Sequence, residues 1–267
     1  MKMTKLSAVM PVKNEKGKIE KCLDSLRGFV DEIVVVDSLG TDGTVEICKK
    51  YGAKIITHEV EGYNMDKQRN IGIENATGEW ILQTESDEVF PADAAVKIRK
   101  AIENPGGYAA FRFFRINCFL GYPLRNAGSI DHMIRISKKG KASYIGSNVH
   151  ETIKVDGPVG DINTEVYHYS FNTISQFVGK CNFFSEIEAE VFLKSNNEVS
   201  LKEIKYRLTW KSLKLFWKLY IRKKGYRDGM HGLAWCVLSV IGPAVKWLKI
   251  WEKASKEGKI TGSINKK

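Results

Sequence analysis

Cysteine is scarce and unpatterned in this sequence: Cys22, Cys48, Cys118, Cys181 and Cys236 stand far apart, odd in number and without a CxxC pair. Such spacing argues against a disulfide framework and a zinc site. It fits small apolar side chains buried in a protein of a reducing compartment. No apolar run reaches the ~20 residues that a spanning helix needs. The run from Leu6 to Val12 is short and contains Pro11, and the run from Leu233 to Val245 carries Gly242-Pro243. The second is therefore expected to be interrupted, and the chain reads as having neither signal peptide nor transmembrane segment. GxGxxG and GxxxxGK[ST] are both missing, which argues against a dinucleotide-binding turn or a P-loop. There is no internal repeat and no low-complexity linker.

What is present is 267 residues, 43% of them hydrophobic, enough for one large α/β domain or for one domain with an appendage. The net charge of +11 is unevenly placed. Residues 1–100 hold 15 basic and 17 acidic side chains and residues 101–200 hold 10 of each, whereas residues 201–267 hold 17 and 4. A neutral, enzyme-sized body with a basic C-terminal quarter implies a localised anionic partner.

The first hundred residues alternate between strand and helix periodicity. Ser7 to Val12, Glu32 to Asp37, Ala53 to Thr57 and Glu79 to Gln83 read as strands, the second a continuous β-branched run suited to burial on both faces. Between them, Ile19 to Leu26, Val45 to Tyr51 and Tyr63 to Asn75 have helical character, and Pro91 opens another helix to about Ile102. Thr41-Asp42-Gly43-Thr44 supplies N-cap chemistry and Gly52 a stop. This order predicts a mostly parallel sheet covered on both faces, with ligands bound beyond the carboxyl ends of its strands. Asp37 and the cluster Glu85-Ser86-Asp87-Glu88 both fall at such ends. Beyond them, Tyr108 to Ile116, Met133 to Ser137, Ala142 to Ile145 and Thr152 to Val155 read as short antiparallel additions separated by long loops. From Ile174 onward the periodicity is helical: Ile174 to Lys194, Leu201 to Lys224 and Gly232 to Lys253.

Glu85 and Asp87 are spaced i, i+2, so in an extended segment both face the same side, with Glu88 adjacent. Oxygen ligands of this kind suit Mg²⁺ or Mn²⁺. The acidic segment belongs to an ordered series: Ala8-Val9-Met10-Pro11-Val12-Lys13-Asn14-Glu15, Asp31 to Ser38, Thr41-Asp42-Gly43-Thr44, Lys67-Gln68-Arg69-Asn70, Ala76 to Trp80 and Glu85-Ser86-Asp87-Glu88. In order and spacing this series resembles the family 2 glycosyltransferases. Val149-His150-Glu151, Tyr167-His168-Tyr169-Ser170 and Gly225-Tyr226-Arg227-Asp228-Gly229 resemble its lipopolysaccharide-core β-glucosyltransferase branch. The resemblance spans roughly residues 6–250.

That resemblance implies a GT-A, Rossmann-like fold, an inverting single displacement, a UDP-sugar donor and a divalent cation. It places Pro11, Val12, Asn14 and Glu15 around the base and ribose, with Asp37 accepting from uracil or ribose. Lys67 and Arg69 fall toward the pyrophosphate. Metal binding carries over to Asp87, to Glu85 and to His150. Glu85 is a departure, because the family usually has Asp there; Glu reaches about one methylene further. The base for the acceptor hydroxyl is assigned to Glu151, with Glu88 and Asp87 as rivals. His168 is either a further metal or phosphate contact or a hydrogen-bonded core histidine.

In the C-terminal quarter, Leu208, Trp210, Leu213, Leu215, Phe216, Trp217 and Tyr220 are interleaved with Lys211, Lys214, Lys218, Arg222, Lys223 and Lys224. A basic amphipathic helix rich in Trp and Tyr reads as a binder of an anionic membrane surface. No nucleic-acid motif accompanies the basic patch, so nucleic acid is not expected as a partner. The chain thus divides, on sequence, into a catalytic domain at 1–170 and a helical, basic appendage at 171–267. Within the first, the nucleotide-sugar half covers about 1–105 and the acceptor half about 106–170. The expected activity is transfer of a hexose, glucose by the resemblance, from a UDP-sugar to a lipid-linked or lipopolysaccharide-core saccharide. The expected location is cytoplasmic, peripheral on the inner face of the membrane. The alternatives are a catalytically silent nucleotide-sugar or membrane binder and a nucleotidyltransferase.

Overall fold

A computed structural model describes residues 4–59, 65–145 and 152–262. The chain opens with β1 (Leu6–Val12), α1 (Ile19–Leu26), β2 (Glu32–Asp37), α2 (Thr44–Lys50), β3 (Lys54–Thr57), α3 (Met65–Asn75) and β4 (Trp80–Gln83). These four strands lie parallel in the order β3-β2-β1-β4. All seven residues of β1 are buried, as a strand paired on both edges and covered on both faces requires. Its side chains alternate: Leu6, Ala8, Met10 and Val12 join the larger core with Leu23, Leu26 and Val35, while Val9 joins Val34, Ile73 and Ile81 on the opposite face. Pro11 is tolerated in this central strand because β4 pairs with β1 only over Leu6 to Val9. On the second face Gly72 lets α3 approach the sheet closely, since a Cβ there would lie 2.2 Å from Val9 Cγ1.

The chain continues through β5 (Glu88–Val89), α4 (Ala92–Glu103), β6 (Ala110–Phe119), β7 (Tyr122–Pro123), β8 (Ile130–Lys138), β9 (Ala142–Tyr144), β10 (Ile153–Val155) and β11 (Val159–Phe171). The full sheet order is β3-β2-β1-β4-β8-β6-β11-β5, with β7 paired to β6. Beyond β4 the pairing turns antiparallel, between β4 and β8 and between β11 and β5. β9 and β10 form a separate antiparallel pair. The α/β class, the parallel half and the antiparallel additions are thus as the periodicity implied. β11 was not anticipated. Its Gly160, Ile162, Thr164 and Val166 are buried in strict alternation, but only two of the four are strongly apolar.

By compactness the chain divides into two units, one comprising residues 1–116 and 131–169, the other residues 117–130 and 170–267. The second is helical: α5 (Ile174–Ser195), α6 (Leu201–Tyr206), α7 (Ser212–Trp217) and α8 (Gly229–Lys256), with β12 (Val199–Ser200) and β13 (Ile260–Thr261) as a short parallel pair. Its cores gather Leu193, Ile204, Trp247 and Ile250 in one cluster and Phe119, Leu124, Phe177 and Leu238 in another. Two expectations are corrected here. The helix expected over Leu201 to Lys224 is segmented by π-helical turns at Arg207–Lys211 and Lys218–Arg222. And Gly242-Pro243 does not interrupt α8, which runs through Pro243. The stretch Gly225–Lys256 is therefore long and apolar enough, by length and composition, to cross a membrane. The Gly225 to Gly229 motif is a tight turn: a Cβ on Gly232 would lie 1.9 Å from the Gly225 carbonyl oxygen, and one on Gly225 would lie 2.7 Å from Cys236 Sγ, so both positions need glycine. Within it, the buried Asp228 carboxylate accepts from the Asn126 backbone N–H (2.8 Å) and side-chain amide (2.9 Å).

Candidate active site

The carboxyl ends of β1 and β2 meet in register, Val12 opposite Asp37. The loops that follow them are clasped together. Asn14 Oδ1 accepts from the Thr41 N–H (2.8 Å), the Glu15 N–H donates to Thr44 Oγ1 (2.8 Å), and Asp37 Oδ1 accepts from the Gly40 N–H (3.1 Å). Gly40 packs where a Cβ would meet Asp37 Oδ1 and Asn14 at 3.0–3.3 Å. Asn14 and Leu39, neither a glycine, both hold left-handed backbone there, with φ of 57° each. The structure thus brings Pro11, Val12, Asn14, Glu15 and Asp37 to one edge of the sheet. Lys67 is exposed on α3, whereas Arg69, on the same helix, is wholly buried.

The acidic cluster follows β4. Its turn is held by Glu88, whose Oε2 accepts from the Glu85 N–H (3.2 Å) and from Thr84 Oγ1 (3.1 Å). Glu88 Oε1 is bound by Arg135 (3.0 Å) and Arg115 (3.5 Å), and its side chain is 1% exposed. Glu88 is therefore the anchor of the turn. Glu85 Oε1 accepts from Arg69 Nη2 (2.8 Å) and Arg135 Nη2 (2.5 Å), while its Oε2 faces Arg115 and His168, each at 3.5 Å. Burial works to raise the Glu85 carboxyl, but Arg135, Arg69 and Arg115 together hold it well below the usual carboxylate range. Burial likewise opposes charge on Arg135, and Glu88 and Glu85 overcome it to push that guanidinium upward.

Asp87 meets His168 Nε2 through Oδ1 (3.3 Å) and Lys18 Nζ through Oδ2 (3.4 Å). Against the opposing effect of its burial, the hydrogen bond and charge of His168 lower its carboxyl. His168 reaches the cluster from β11, where it stands opposite Glu88 in the antiparallel pair with β5. Glu85, Asp87 and His168 each offer one ligand atom, all within 4.8 Å of one another. Two carboxylate oxygens and one imidazole nitrogen at that spacing fit a small divalent cation. His150 and Glu151 lie outside the described residues.

Arg115 and Arg135 escaped the sequence reading because an arginine within a strand looks like a solvated position. Arg135 is in fact among the largest fully buried side chains. They come to the acidic turn from β8, which pairs with β4, and from β6, the strand next to β8.

A family model described as Glycosyl transferase family 2 matches residues 7–153. A glycosyltransferase of Rickettsia typhi is 28% identical over 98% of this chain and 92% of its own length. The lipopolysaccharide core biosynthesis glycosyltransferase LpsC of Rhizobium meliloti is 24% identical, covering 93% of this chain and 92% of its own. Among solved structures, that of S. aureus TarS residues 1–349 aligns with a TM-score of 0.46 and 13% identity, covering 95% and 92% of the two chains.

Proposed function

Since this chain belongs to glycosyl transferase family 2, we propose that it moves a hexose, glucose, from a UDP-sugar to a lipid-linked or lipopolysaccharide-core saccharide with inversion. The observation that carries this reading is the cluster of Glu85, Asp87 and His168 at the carboxyl end of the parallel strands. The likeness to a lipopolysaccharide-core enzyme along most of both chains supports the acceptor class.

In this reading Pro11, Val12, Asn14 and Glu15 border the nucleotide, and Asp37 accepts from the uracil ring or a ribose hydroxyl. Asp87 and His168 would hold Mg²⁺ or Mn²⁺, with Glu85 Oε2, which faces His168 and Arg115 at 3.5 Å, completing the set. When bound, the cation offsets charge on the departing diphosphate. Arg69 and Arg135 fix the Glu85 carboxylate so that no reorganisation is needed during transfer. Lys67, exposed at the start of α3, lies toward the diphosphate. Glu151 takes the proton of the acceptor hydroxyl as it attacks the anomeric carbon, which inverts its configuration. His150 beside it is a further ligand. The helical unit rests on the inner, anionic face of the membrane through Trp210, Leu213 and Trp217, exposed among Lys211, Lys214 and Lys218.

The test is a panel of UDP-sugars incubated with purified protein and Mn²⁺, with UDP release and product stereochemistry as readouts. UDP-glucose is expected to be consumed, with β-product from α-donor, and Asp87→Ala and Glu151→Gln each to abolish transfer. Full activity in Asp87→Ala would overturn the site. Tight UDP binding without turnover on any acceptor would favour a silent binder instead.

A further inference from the structure

The helical unit contains a cavity of about 540 Å³, a volume ordinary for a small-molecule site. Its walls come from α5, the π-helical turn Arg207–Lys211 with the start of α7, and the middle of α8. The apolar part of the lining is Phe171, Phe184, Leu215, Pro243 and Trp247. Four cations stand on its lining, Lys180, Arg207, Lys211 and Lys246, against a single carboxylate, Glu188. Among the described residues, Glu188 pairs with Lys246, at 2.9 Å. Arg207 is oriented by Glu203 (2.8 Å) and by the Trp247 ring, 4.8 Å from its guanidinium carbon. Lys180 lies over the Phe171 ring at 5.1 Å, and neither it nor Lys211 has a carboxylate partner among the described residues.

Local backbone geometry builds this arrangement. A π-helical turn is a rare departure within a helix and recurs at functional sites. Here it places its first residue, Arg207, and its last, Lys211, on the same cavity. Gly242 adds room at the α8 wall: a Cβ there would stand 3.3 Å from Cys181 Sγ. Pro243 follows it, inside α8.

A largely apolar lining that carries surplus positive charge matches a molecule with a hydrocarbon chain and an anionic head. A nucleotide would bring polar edges that the apolar side chains do not satisfy, and an inorganic anion would leave those side chains in water. The same unit displays Trp210 and Trp217 at 71% and 59% exposure, a surface suited to the interface from which such a molecule would come. We propose that this cavity binds one acyl chain and the phosphate of an anionic phospholipid. The inference deepens the membrane arm of the reading above and does not depend on sugar transfer.

The experiment is isothermal titration calorimetry of the full chain with dihexanoyl-phosphatidylglycerol, kept monomeric so that no bilayer takes part. The zwitterionic dihexanoyl-phosphatidylcholine and inorganic phosphate serve as separate probes. Saturable binding of the acidic lipid is expected, roughly tenfold tighter than the zwitterion, with no phosphate binding in the same range. Leu215→Trp, which fills the cavity, and Lys180→Glu, an exposed change that places no demand on the core, should each weaken it by about tenfold, while Lys202→Gln, exposed on α6 and off the cavity lining, should leave it unchanged. Lack of saturable binding, equal affinity for the zwitterion or for phosphate, or full affinity in Lys180→Glu would overturn the proposal. Because the lipid is monomeric, failure here is distinct from failure of liposome binding or of UDP-sugar turnover.

Discussion

His168 and Asp87 meet at 3.3 Å between Nε2 and Oδ1, and the backbone dictates that contact. His168 stands opposite Glu88 in the β11–β5 pair, and the next residue, Tyr169, donates its N–H to the Asp87 carbonyl at 2.8 Å. A strand pairing therefore delivers the imidazole to the acidic turn, across some eighty residues of sequence. Removing either side chain leaves the pairing intact. His168→Ala should thus weaken Mn²⁺ binding by at least roughly 10–100-fold, and Asp87→Ala by more, with unchanged far-UV circular dichroism. Titration of Mn²⁺ in the presence of UDP measures this; wild-type affinity in His168→Ala would remove the histidine from the ligand set.

The arginine cage gives a prediction about stability. Arg135 is 1% exposed and touches both Glu85 and Glu88. Truncating it removes the nearer of the two guanidinium groups that bridge these carboxylates, and leaves the buried Glu88 facing Arg115 at 3.5 Å. Arg135→Ala is expected to cost about 3–5 kcal/mol in urea unfolding. Arg112, paired with Asp161 at 43% and 54% exposure, offers the contrast. Arg112→Ala should cost below about 1 kcal/mol.

The parallel half of the sheet was legible in the sequence because its strands are apolar runs and its helices have clear stops. The second half was harder to read. β11 buries Gly160 and Thr164 beside Ile162 and Val166, so its alternation carries little apolar contrast. The site divides in the same way. Asp37, Glu85 and Asp87 stood at predictable strand ends, but Arg115, Arg135 and His168 reach the cluster through pairings that no local pattern announces. The pairing of β11 with β5 places the His168 imidazole beside Asp87, which the motif around it left open between a metal or phosphate contact and a core histidine. Continuity of α8 through Pro243 was missed for a related reason: propensity penalises an interior proline, and tertiary packing overrides it.

Close packing of α3 on β1 depends on Gly72, where a new methyl group would lie 2.2 Å from Val9 Cγ1. Gly72→Ala should destabilise by about 1–3 kcal/mol, despite the better helix propensity of alanine. Val9→Ala also destabilises on its own, by opening a cavity. The double variant should lose less than the sum, because the space vacated by valine accepts the new methyl. Additive losses in a double-mutant cycle would refute the clash.

Glu186 supplies a pH prediction in the helical unit. Its hydrogen bonds to Lys253 and Lys249 on α8 depress its carboxyl from the ordinary value to about 2. A depressed folded value means that the contribution is fully present above the unfolded carboxylate range and fades as pH falls through about 2. The side chain is 44% exposed, so solvent and salt screen the pair. Carboxyl NMR should report a Glu186 midpoint near 2, rising in Lys253→Ala and in high salt. An unchanged midpoint in Lys253→Ala would remove that lysine as the cause.

Membrane attachment would combine an apolar and an electrostatic part, and the two can be separated. Tyr206, Trp210, Leu213, Trp217 and Ile221 recur every three or four residues and are 51%, 71%, 64%, 59% and 39% exposed, a continuous unpartnered stripe. Lys214 and Lys218 are exposed beside it, whereas Lys211 belongs to the cavity lining. Neutralising Lys214 and Lys218 to Gln should cost about 2 kcal/mol of partitioning onto phosphatidylglycerol vesicles, a loss on the order of 30-fold. It should also flatten the dependence on salt. Trp210→Ala with Trp217→Ala should lower partitioning at every salt concentration and keep the wild-type slope, because it removes buried area and no charge. Sedimentation across a salt series distinguishes these outcomes. Partitioning indifferent to salt and to both lysines would leave the stripe as a purely apolar contact, and partitioning unaffected by either pair of substitutions would place the membrane on another face.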